Sequence, residues 1–155
     1  AITVLSKANG VGKTHLGVCL CRKYIHNFLY DNPDKLSYVH TDIFVTDATI
    51  YRKVQESYRD KSFQSESDII ERYAKKKFLV IDDLFSSRDN DFARRIMLEI
   101  INLRLDWYGL PTFITSNLNR KEIREIDTRI DSRLNNGIVI ELQNNTEDKR
   151  KAVKE

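Results

Sequence analysis

Short apolar runs alternate with longer amphipathic segments along the chain. Most of these runs are rich in Val, Ile, Leu and Phe, a composition typical of β-strands. The run at 78–81 is apolar at every position, which fits a strand buried on both faces of a parallel sheet. The predicted strands are residues 2–5, 36–41, 78–81, 112–115 and 138–142.

The segments between these runs carry apolar residues three or four positions apart, which is the spacing of one helix face. Two neighbouring apolar rows at 92–105 predict a strong helix, which Gly109 and Pro111 end. Asn119 and Glu122, three residues later, form a capping pair at the start of another helix. Further helices are predicted at 13–30, after the Thr46-Asp47 cap, at 65–73, and at 128–135 with Gly137 as its C-cap.

The alternation of strands and helices predicts an α/β fold, with a five-stranded parallel sheet and helices on both faces. Ligands of such sheets bind beyond the carboxyl ends of the strands. Three predicted strands are followed at this edge by residues that can bind a ligand or take part in catalysis. They are Gly10 to Thr14, the pair Asp82 and Asp83, and Asn117. We therefore expect a ligand site at this edge of the sheet.

The composition is that of a soluble globular domain. The 155 residues are 41% hydrophobic and 32% charged with a net charge of +3, and we expect one domain over 1–155. No apolar run approaches the roughly 18 residues of a membrane span, so no membrane partner is predicted. Cys19 and Cys21 face different sides of a helix, and we expect reduced thiols in a cytoplasmic protein. The chain starts at a strand without an initiator Met, which suggests the C-terminal part of a longer protein.

The first predicted strand leads into a glycine turn, Lys13, Thr14 and a helix, which is the arrangement of a phosphate-binding loop. The glycines let backbone N–H groups point at a phosphate, and the helix adds the positive end of its dipole. Lys13 is predicted to reach the β- and γ-phosphates, and the Thr14 hydroxyl to hold Mg²⁺. Lys7 replaces the usual first glycine, so an ordinary glycine turn is the alternative. The predicted nucleotide-binding residues are Asn9, Gly10, Val11, Gly12, Lys13, Thr14 and His15.

Two aspartates end the third predicted strand. Asp82 is placed to face the Mg²⁺ of the nucleotide as its second protein anchor. Asp83 stands where ATPases of the RecA-like branch usually carry a glutamate that activates the attacking water. Its side chain is one methylene shorter, so either the water is placed differently or turnover is slower. Asn117, at the tip of the next strand, is predicted to bind the γ-phosphate or that water, the role called sensor 1. Ordinary polar turns after these strands are the alternative.

Arg129 and Arg133 are four residues apart and share one face of a predicted helix. An arginine that projects outward can enter a neighbouring subunit's nucleotide site as an arginine finger, worth about 10³–10⁵ in rate where it is essential. A surface arginine paired with Asp131 or Glu125 explains the spacing equally well.

Four motifs follow one another along the chain: Gly10-x-Gly12-Lys13-Thr14, Leu79-Val80-Ile81-Asp82-Asp83-Leu84, Thr115-Ser116-Asn117 and Asp131-Ser132-Arg133-Leu134. In this order they resemble the AAA+ ATPase domain of DnaC/DnaI-type replicative helicase loaders, a group that includes the transposase helper IstB. The resemblance runs from the first to the last predicted strand. It implies an AAA+ type P-loop fold, here without a helical lid domain after the last strand.

The resemblance also implies roles for single residues, with ATP bound between adjacent subunits. Lys13 and Thr14 would contact the phosphates and Mg²⁺, and Asp82 would be the Walker B aspartate. Asp83 would be the catalytic acid. The remaining roles in the family are sensor 1, which matches Asn117, and the trans-acting finger, which matches Arg133.

Three partners follow from the resemblance: a hexameric replicative helicase, single-stranded DNA, and further copies of the chain with nucleotide at their interfaces. In the family, the helices inserted after the second strand face DNA. Basic and aromatic residues there suit backbone and stacking contacts, although a solvated helix face has the same composition. The residues in question are Arg52, Lys53, Arg59, Lys61, Tyr51 and Tyr58.

Departures from the family pattern leave several functions open. Phe85 replaces a glycine that commonly follows Asp-Asp-Leu, and Arg150 is the candidate for an arginine near the family's domain end. A transposition helper is the first alternative to a helicase loader. A small-molecule kinase is the second, although the Asp82-Asp83 pair with Asn117 argues against it. A binding module that does not hydrolyse nucleotide is the third, kept open by Lys7 and the short Asp83.

Overall fold

The computed structural model describes residues 1–38, 42–59, 64–86 and 91–142. Within these residues five parallel strands form one sheet in the order β2-β3-β4-β1-β5, so β4 lies between β1 and β3. This confirms the predicted fold class. The strands are β1 (Ile2–Leu5), β2 (Phe44–Thr46), β3 (Leu79–Asp82), β4 (Thr112–Ser116) and β5 (Ile138–Glu141).

Helices cover both faces of the sheet. Helix α1 packs on one face through Cys21, which clusters with Val4, Val80 and Phe113. The other helices share a larger core with Leu5, Leu79, Ile81 and Ile114 on the opposite face. In the described residues no helix is long and apolar enough to cross a bilayer. The helices are α1 (Lys13–Asp31), α2 (Asp47–Arg59), α3 (Glu66–Ala74), α4 (Asp91–Asn102), α5 (Arg120–Ile126) and α6 (Thr128–Asn135).

The predicted strand at 36–41 is wrong. Pro33–Tyr38 forms a 3₁₀ helix, and residues 39–41 lie outside the described part of the chain. Proline suits the first helical position, and Lys35 N donates to Asn32 O (3.1 Å), which starts a new turn directly after α1. The second strand is instead Phe44–Thr46, which pairs with β3. It was not predicted because it has only three residues and follows the longer apolar run at 36–41.

Two predicted helix starts are confirmed by their caps. Asn119 Oδ1 accepts from Glu122 N (2.8 Å), and Glu122 Oε2 accepts from Asn119 N (3.0 Å), which makes a complete capping box for α5. Ser65 and Asp68 form the same box at α3. Local sequence chemistry was sufficient at both sites because every partner lies within three residues.

Gly137 is not a C-cap, contrary to the prediction. Asn136 ends α6 in a right-handed conformation, with φ −71° and ψ −4°. The glycine is needed because β1 and β5 come together here: a Cβ at residue 137 would lie 2.4 Å from Ala1 O. Ile138 N donates to the same oxygen at 3.0 Å, which begins the pairing of the two strands.

Helix α4 continues into a π-helical turn, Leu103–Trp107, and then ends at Gly109, which is left-handed (φ 59°). Arg104 of this turn is fully buried and joins the end of α3 to the start of β4. Burial lowers the pKa of its guanidinium to about 10, so it is charged at neutral pH. Its acceptors are Thr112 Oγ1 (2.9 Å) and the carbonyl oxygens of Tyr73 (2.8 Å), Ala74 (3.0 Å), Lys76 (2.7 Å) and Pro111 (2.8 Å).

We predict that Arg104→Met lowers the free energy of unfolding by roughly 3–5 kcal/mol, because buried acceptors lose their donor. Denaturant unfolding followed by circular dichroism measures the change. Arg95→Met is the matched control on α4, since Arg95 is half exposed and pairs with Glu66 at 2.7 Å; its effect should stay below about 1 kcal/mol. Equal losses in the two variants would contradict the role of Arg104.

Candidate nucleotide site

The loop between β1 and α1 has the backbone of a phosphate cradle. Gly10 (φ 74°) and Gly12 (φ 92°) are both left-handed, a conformation that L-residues with a side chain rarely adopt. Lys7, which replaces the usual first glycine, does not have a positive φ, and its ammonium points away to Glu122 on α5 (3.1 Å). The missing glycine therefore introduces no strain into the loop.

Lys13 lies buried inside this loop. Its Nζ donates to Ser6 O and Ala8 O, both at 3.0 Å, which holds the loop around the ammonium. The first turn of α1 has no acidic residue, so no side chain there offsets the positive end of the helix dipole. An anion at this position would meet the ammonium and the helix N-terminus together.

Thr14 and Asp82 are in direct contact. Thr14 Oγ1 donates to Asp82 Oδ2 at 3.0 Å and lies 3.3 Å from Oδ1, so the two predicted metal ligands already face each other. A hydroxyl and a carboxylate are the hard oxygen ligands that Mg²⁺ prefers. In the described residues no group of three or more His, Cys, Asp or Glu could hold a metal by itself. The pair thus fits an ion that arrives with phosphate oxygens as its other ligands.

Thr115 lies in the middle of the site, although no role was predicted for it within the Thr115-Ser116-Asn117 motif. It is fully buried in β4, where its Oγ1 donates to Asp82 Oδ1 (2.5 Å) and accepts from Asp83 N (3.1 Å). One hydroxyl thus fixes the Asp82 carboxylate and the start of the turn that follows it. A sequence pattern could not show this, because the two strands are far apart in the chain.

Asp83 leaves β3 in the left-handed region (φ 57°), and its Oδ1 accepts from Asn117 Nδ2 at 2.6 Å. Burial raises the pKa of the Asp83 carboxyl above its usual range, and the charge of Asp82 adds to this, whereas Lys13 and the bond from Asn117 oppose it. Lys13, Thr14, Asp82, Asp83 and Asn117 are therefore brought together at one sheet edge.

The turn after Asp83 is held by a residue that the sequence did not reveal as part of the site. Asp47 is buried at the start of α2, and it accepts from Ser86 N (3.0 Å) and Ser86 Oγ (2.6 Å). Burial raises the pKa of Asp47, and the bonds from Ser86 oppose the shift. Phe85, which precedes Ser86, is left-handed (φ 63°), a conformation that glycine adopts at lower cost than a residue with a side chain.

Arg133 lies at the opposite edge of the sheet, near Ala1, Pro111 and Gly137, which stand before strands rather than after them. Its Nε donates to Asp106 Oδ2 (3.0 Å) and its Nη1 to Arg129 O (3.0 Å). The structure does not bring it to the nucleotide site of its own chain.

Arg129 is exposed and binds Asp127 (2.8 Å), so neither arginine has the partner that we considered, Asp131 or Glu125. Asp131 pairs with Arg120 (3.6 Å) instead. His15, also predicted at the nucleotide, is exposed on α1 and lies with its Nε2 3.5 Å from the Cys19 sulfur.

Of the described residues considered for DNA contact, Arg52, Tyr58 and Arg59 are exposed, and Tyr51 and Lys53 are half-buried. The rings of Tyr51 and Tyr58 contact Phe92 on α4. Lys53 Nζ donates to Tyr73 OH at 2.7 Å. Arg52 pairs with Glu56 (3.9 Å), and Arg59 ends α2 with an exposed side chain. Lys61 and Arg150 lie outside the described residues.

Comparisons with known structures give the same fold. DnaA from Aquifex aeolicus bound to AMPPCP aligns with 99% of this chain and 43% of its own, at a TM-score of 0.71 and 17% identity. Domain III of the Thermotoga maritima replication initiation protein DnaA aligns with 97% of this chain and 57% of its own (TM-score 0.66, 21% identity). A replication initiator DnaA bound to AMPPCP and single-stranded DNA covers 92% of this chain and 40% of its own (TM-score 0.65, 15% identity).

The chain thus spans less than two thirds of the length of these structures. A comparison with curated proteins gives no match. Residues 3–141 match the family model described as the bacterial DnaA ATPase domain. The predicted AAA+ type P-loop fold is therefore confirmed, and the DnaC/DnaI subgroup stays a prediction. The chain belongs to the family of bacterial DnaA ATPase domains.

Proposed function

We propose that this chain binds ATP with Mg²⁺, hydrolyses it slowly, and uses the nucleotide state to control assembly on DNA during replication. One observation carries the proposal: Thr14 donates directly to Asp82 (3.0 Å) beneath a glycine loop that encloses Lys13. Family membership supports an ATPase that works in replication.

ATP binding is assigned to the loop and to α1. The Lys13 ammonium is already inside the loop, so it needs only to exchange the Ser6 and Ala8 carbonyl oxygens for phosphate oxygens. Backbone N–H groups of 9–15 and the start of α1 supply the remaining positive potential. Little side-chain ordering is required on binding, which favours affinity.

Thr14 and Asp82 would hold Mg²⁺ together with the phosphates. When bound, the ion neutralises charge that develops on the transferred phosphoryl group. Thr115 keeps the Asp82 carboxylate turned toward Thr14 by its bond to Oδ1 (2.5 Å). Such supporting hydrogen bonds commonly determine how well a carboxylate binds its metal.

Asp83 is proposed as the base that orients the attacking water. Asn117 engages its Oδ1 (2.6 Å), and we assign the second carboxylate oxygen to the water. Because the pKa of Asp83 is raised, its carboxylate is a stronger proton acceptor than that of an exposed aspartate. Arg133 is proposed to act on the nucleotide of a neighbouring copy, which agrees with its place at the opposite sheet edge.

Single-stranded DNA and a hexameric helicase are the proposed partners, in the cytoplasm of a bacterium or a phage-infected cell. The first rests on the DnaA structure that contains single-stranded DNA, and the second on the resemblance to helicase loaders. The test is an ATPase assay with and without single-stranded DNA and a candidate hexameric helicase. Stimulation by DNA supports the proposal. Stimulation by an acceptor metabolite would indicate a kinase. Tight ATP binding without turnover would indicate a binding module that does not hydrolyse nucleotide.

We predict that Asp83→Asn lowers ATP turnover by about 10²–10⁴-fold, because the base is lost, while ATP affinity changes little. In the wild type, turnover should fall as the pH drops through the pKa of Asp83, and at higher pH than for an ordinary aspartate because this pKa is raised. Asp91→Asn, at an exposed position on α4, is the control. Equal turnover in Asp83→Asn and wild type would count against the assignment.

We predict that Thr115→Val weakens Mg²⁺-dependent nucleotide binding about 10–100-fold, because the Asp82 carboxylate loses its support. Binding of a fluorescent ATP analogue with and without Mg²⁺ measures the effect, and Thr115→Ser should restore it. Thr3→Val is the matched control, because the Thr3 hydroxyl is buried in β1 without a hydrogen-bond partner in the described structure. The same weakening in both valine variants would refute the role of Thr115.

We predict that Arg133→Ala lowers hydrolysis by about 10³-fold or more in assembled protein and leaves the basal rate of dilute monomer unchanged. The reason is that Arg133 lies far from the P-loop of its own chain. ATPase rates at concentrations above and below assembly, checked by sedimentation, make the comparison. A loss that persists in strictly monomeric protein would overturn the trans placement.

A further inference from the structure

A cleft of about 820 cubic ångströms opens beyond the amino ends of β2 and β3, at the sheet edge opposite the nucleotide site. Ile43 and Phe78, which directly precede these strands, form part of its wall. The described residues that line it are aromatic, aliphatic or basic. Sites for organic ligands have volumes of about 300–1,000 cubic ångströms, so the cleft can hold several side chains of a partner. We call it the Phe78 cleft.

The apolar wall of the Phe78 cleft is formed largely by α1. Tyr24, Ile25 and Phe28 lie on this helix, and the Tyr24 ring stacks on the ring of Phe78, with the ring centroids 5.0 Å apart. Tyr24, Ile25 and Phe78 also pack against the buried cluster that α1 forms with the sheet. These contacts fix the wall in advance, so a partner that covers it does not have to order it first.

The basic side of the cleft already holds a carboxylate. Asp42 accepts from Arg72 Nη2 at 2.5 Å and also from the Nζ of Lys76, a lysine that is only 8% exposed. Burial raises the pKa of Asp42, but the hydrogen bonds and charges of Lys76 and Arg72 outweigh this effect and hold the pKa below its usual range. The cluster therefore stabilises a carboxylate rather than the neutral acid.

Positive charge exceeds negative charge around the cleft. Lys75 pairs with Glu71 at 2.6 Å. Lys35 and Lys77 are exposed, and the described residues give neither lysine an acidic partner. Five basic residues thus line the cleft, and in the described part of the chain two acids pair with them. A guest without negative charge would leave this surplus uncompensated.

We propose that the Phe78 cleft binds an acidic peptide segment of another protein, with one aliphatic or aromatic side chain as its anchor. The anchor covers Ile25 and Phe28, and acidic residues beside it meet Lys35 and Lys77. Charge complementarity carries the proposal, because the cleft combines an apolar wall with a surplus of positive charge. The basic residues come from two separate segments, at 35 and at 72–77, so a partner needs more than one negative group, and acidic side chains along a peptide supply them.

A single-stranded nucleic acid also carries negative charge, but the wall suits it less well. Such binding relies on aromatic rings that present a face to the bases. Here Tyr24 and Phe78 stack on each other, and the aliphatic Ile25 and Ile43 belong to the same wall. The anion that the basic side already holds is moreover a carboxylate, that of Asp42. Because the cleft and the P-loop lie at opposite sheet edges, peptide binding does not require a bound nucleotide.

A library of random dodecapeptides displayed on phage tests the proposal without a known partner. Phage are first depleted on Lys35→Glu/Lys77→Glu protein, which removes those that bind elsewhere, and the remainder are selected on wild type. We expect the selected peptides to carry a net negative charge and at least one Leu, Phe or Trp. No enrichment after depletion, or enrichment of neutral or basic peptides, would overturn the proposal.

Two variants that take no part in the selection then locate the binding of one selected synthetic peptide, followed by fluorescence polarisation. Ile25→Gln should raise its dissociation constant at least tenfold, because the anchor loses its apolar wall. Leu20→Gln is the matched control, since Leu20 is also half-buried on α1 but is not among the lining residues; its effect should stay below about twofold. A rise in ionic strength should weaken binding to the wild type.

Equal affinity of wild type and Ile25→Gln, or affinity that does not respond to salt, would contradict the proposal. Displacement of the peptide by a single-stranded oligonucleotide would assign the cleft to nucleic acid instead. Should Ile25→Gln fail to fold by circular dichroism, the depletion step still decides, because Lys35 and Lys77 are exposed. Failure of wild type to bind a fluorescent ATP analogue would count against the proposed ATPase function and leave the peptide result standing.

Discussion

The site depends on how one buried carboxylate is held. Asp82 lies between two threonine hydroxyls, Thr14 on α1 and Thr115 on β4. A buried charge is costly unless hydrogen bonds or counter-ions compensate it, and here the two hydroxyls supply part of that compensation. The contact is possible because β4 lies between β1 and β3, which places its tip between the P-loop and the Asp82-Asp83 pair. Sheet order thus sets the distance between the glycine loop after β1 and the carboxylate of Asp82.

The turn after β3 concentrates strain next to this carboxylate. Asp83 and Phe85 are both left-handed, which costs on the order of 1 kcal/mol or more for each residue with a side chain. Fixed partners compensate: Leu84 N donates to Thr115 O (2.8 Å), Ser116 Oγ donates to Leu84 O (2.7 Å), and Asp47 accepts from the residue after Phe85. Strain held in this way is typical of functional sites, and it aims Asp83 at Asn117.

Features defined by neighbours in sequence could be predicted, and those defined by tertiary neighbours could not. The glycine loop, the Asn119–Glu122 box and the apolar strand at 78–81 follow local rules, and the structure confirms them. The strand at Phe44–Thr46 was missed because three residues are too few for a clear pattern. Arg104 binds three carbonyl oxygens of residues 73–76, which are about 30 residues away in the chain, and Asp47 binds Ser86, which is 39 residues away. Gly137 is required because a side chain there would collide with Ala1. No periodicity contains that information.

The most direct test is a crystal structure with a non-hydrolysable ATP analogue and Mg²⁺. The account predicts triphosphate density over residues 9–15, with Lys13 Nζ on phosphate oxygens instead of the Ser6 and Ala8 carbonyls. It also predicts the metal against Thr14 and Asp82 in place of their direct hydrogen bond. A nucleotide bound elsewhere, or a Thr14–Asp82 hydrogen bond that persists beneath a bound triphosphate, would contradict the account.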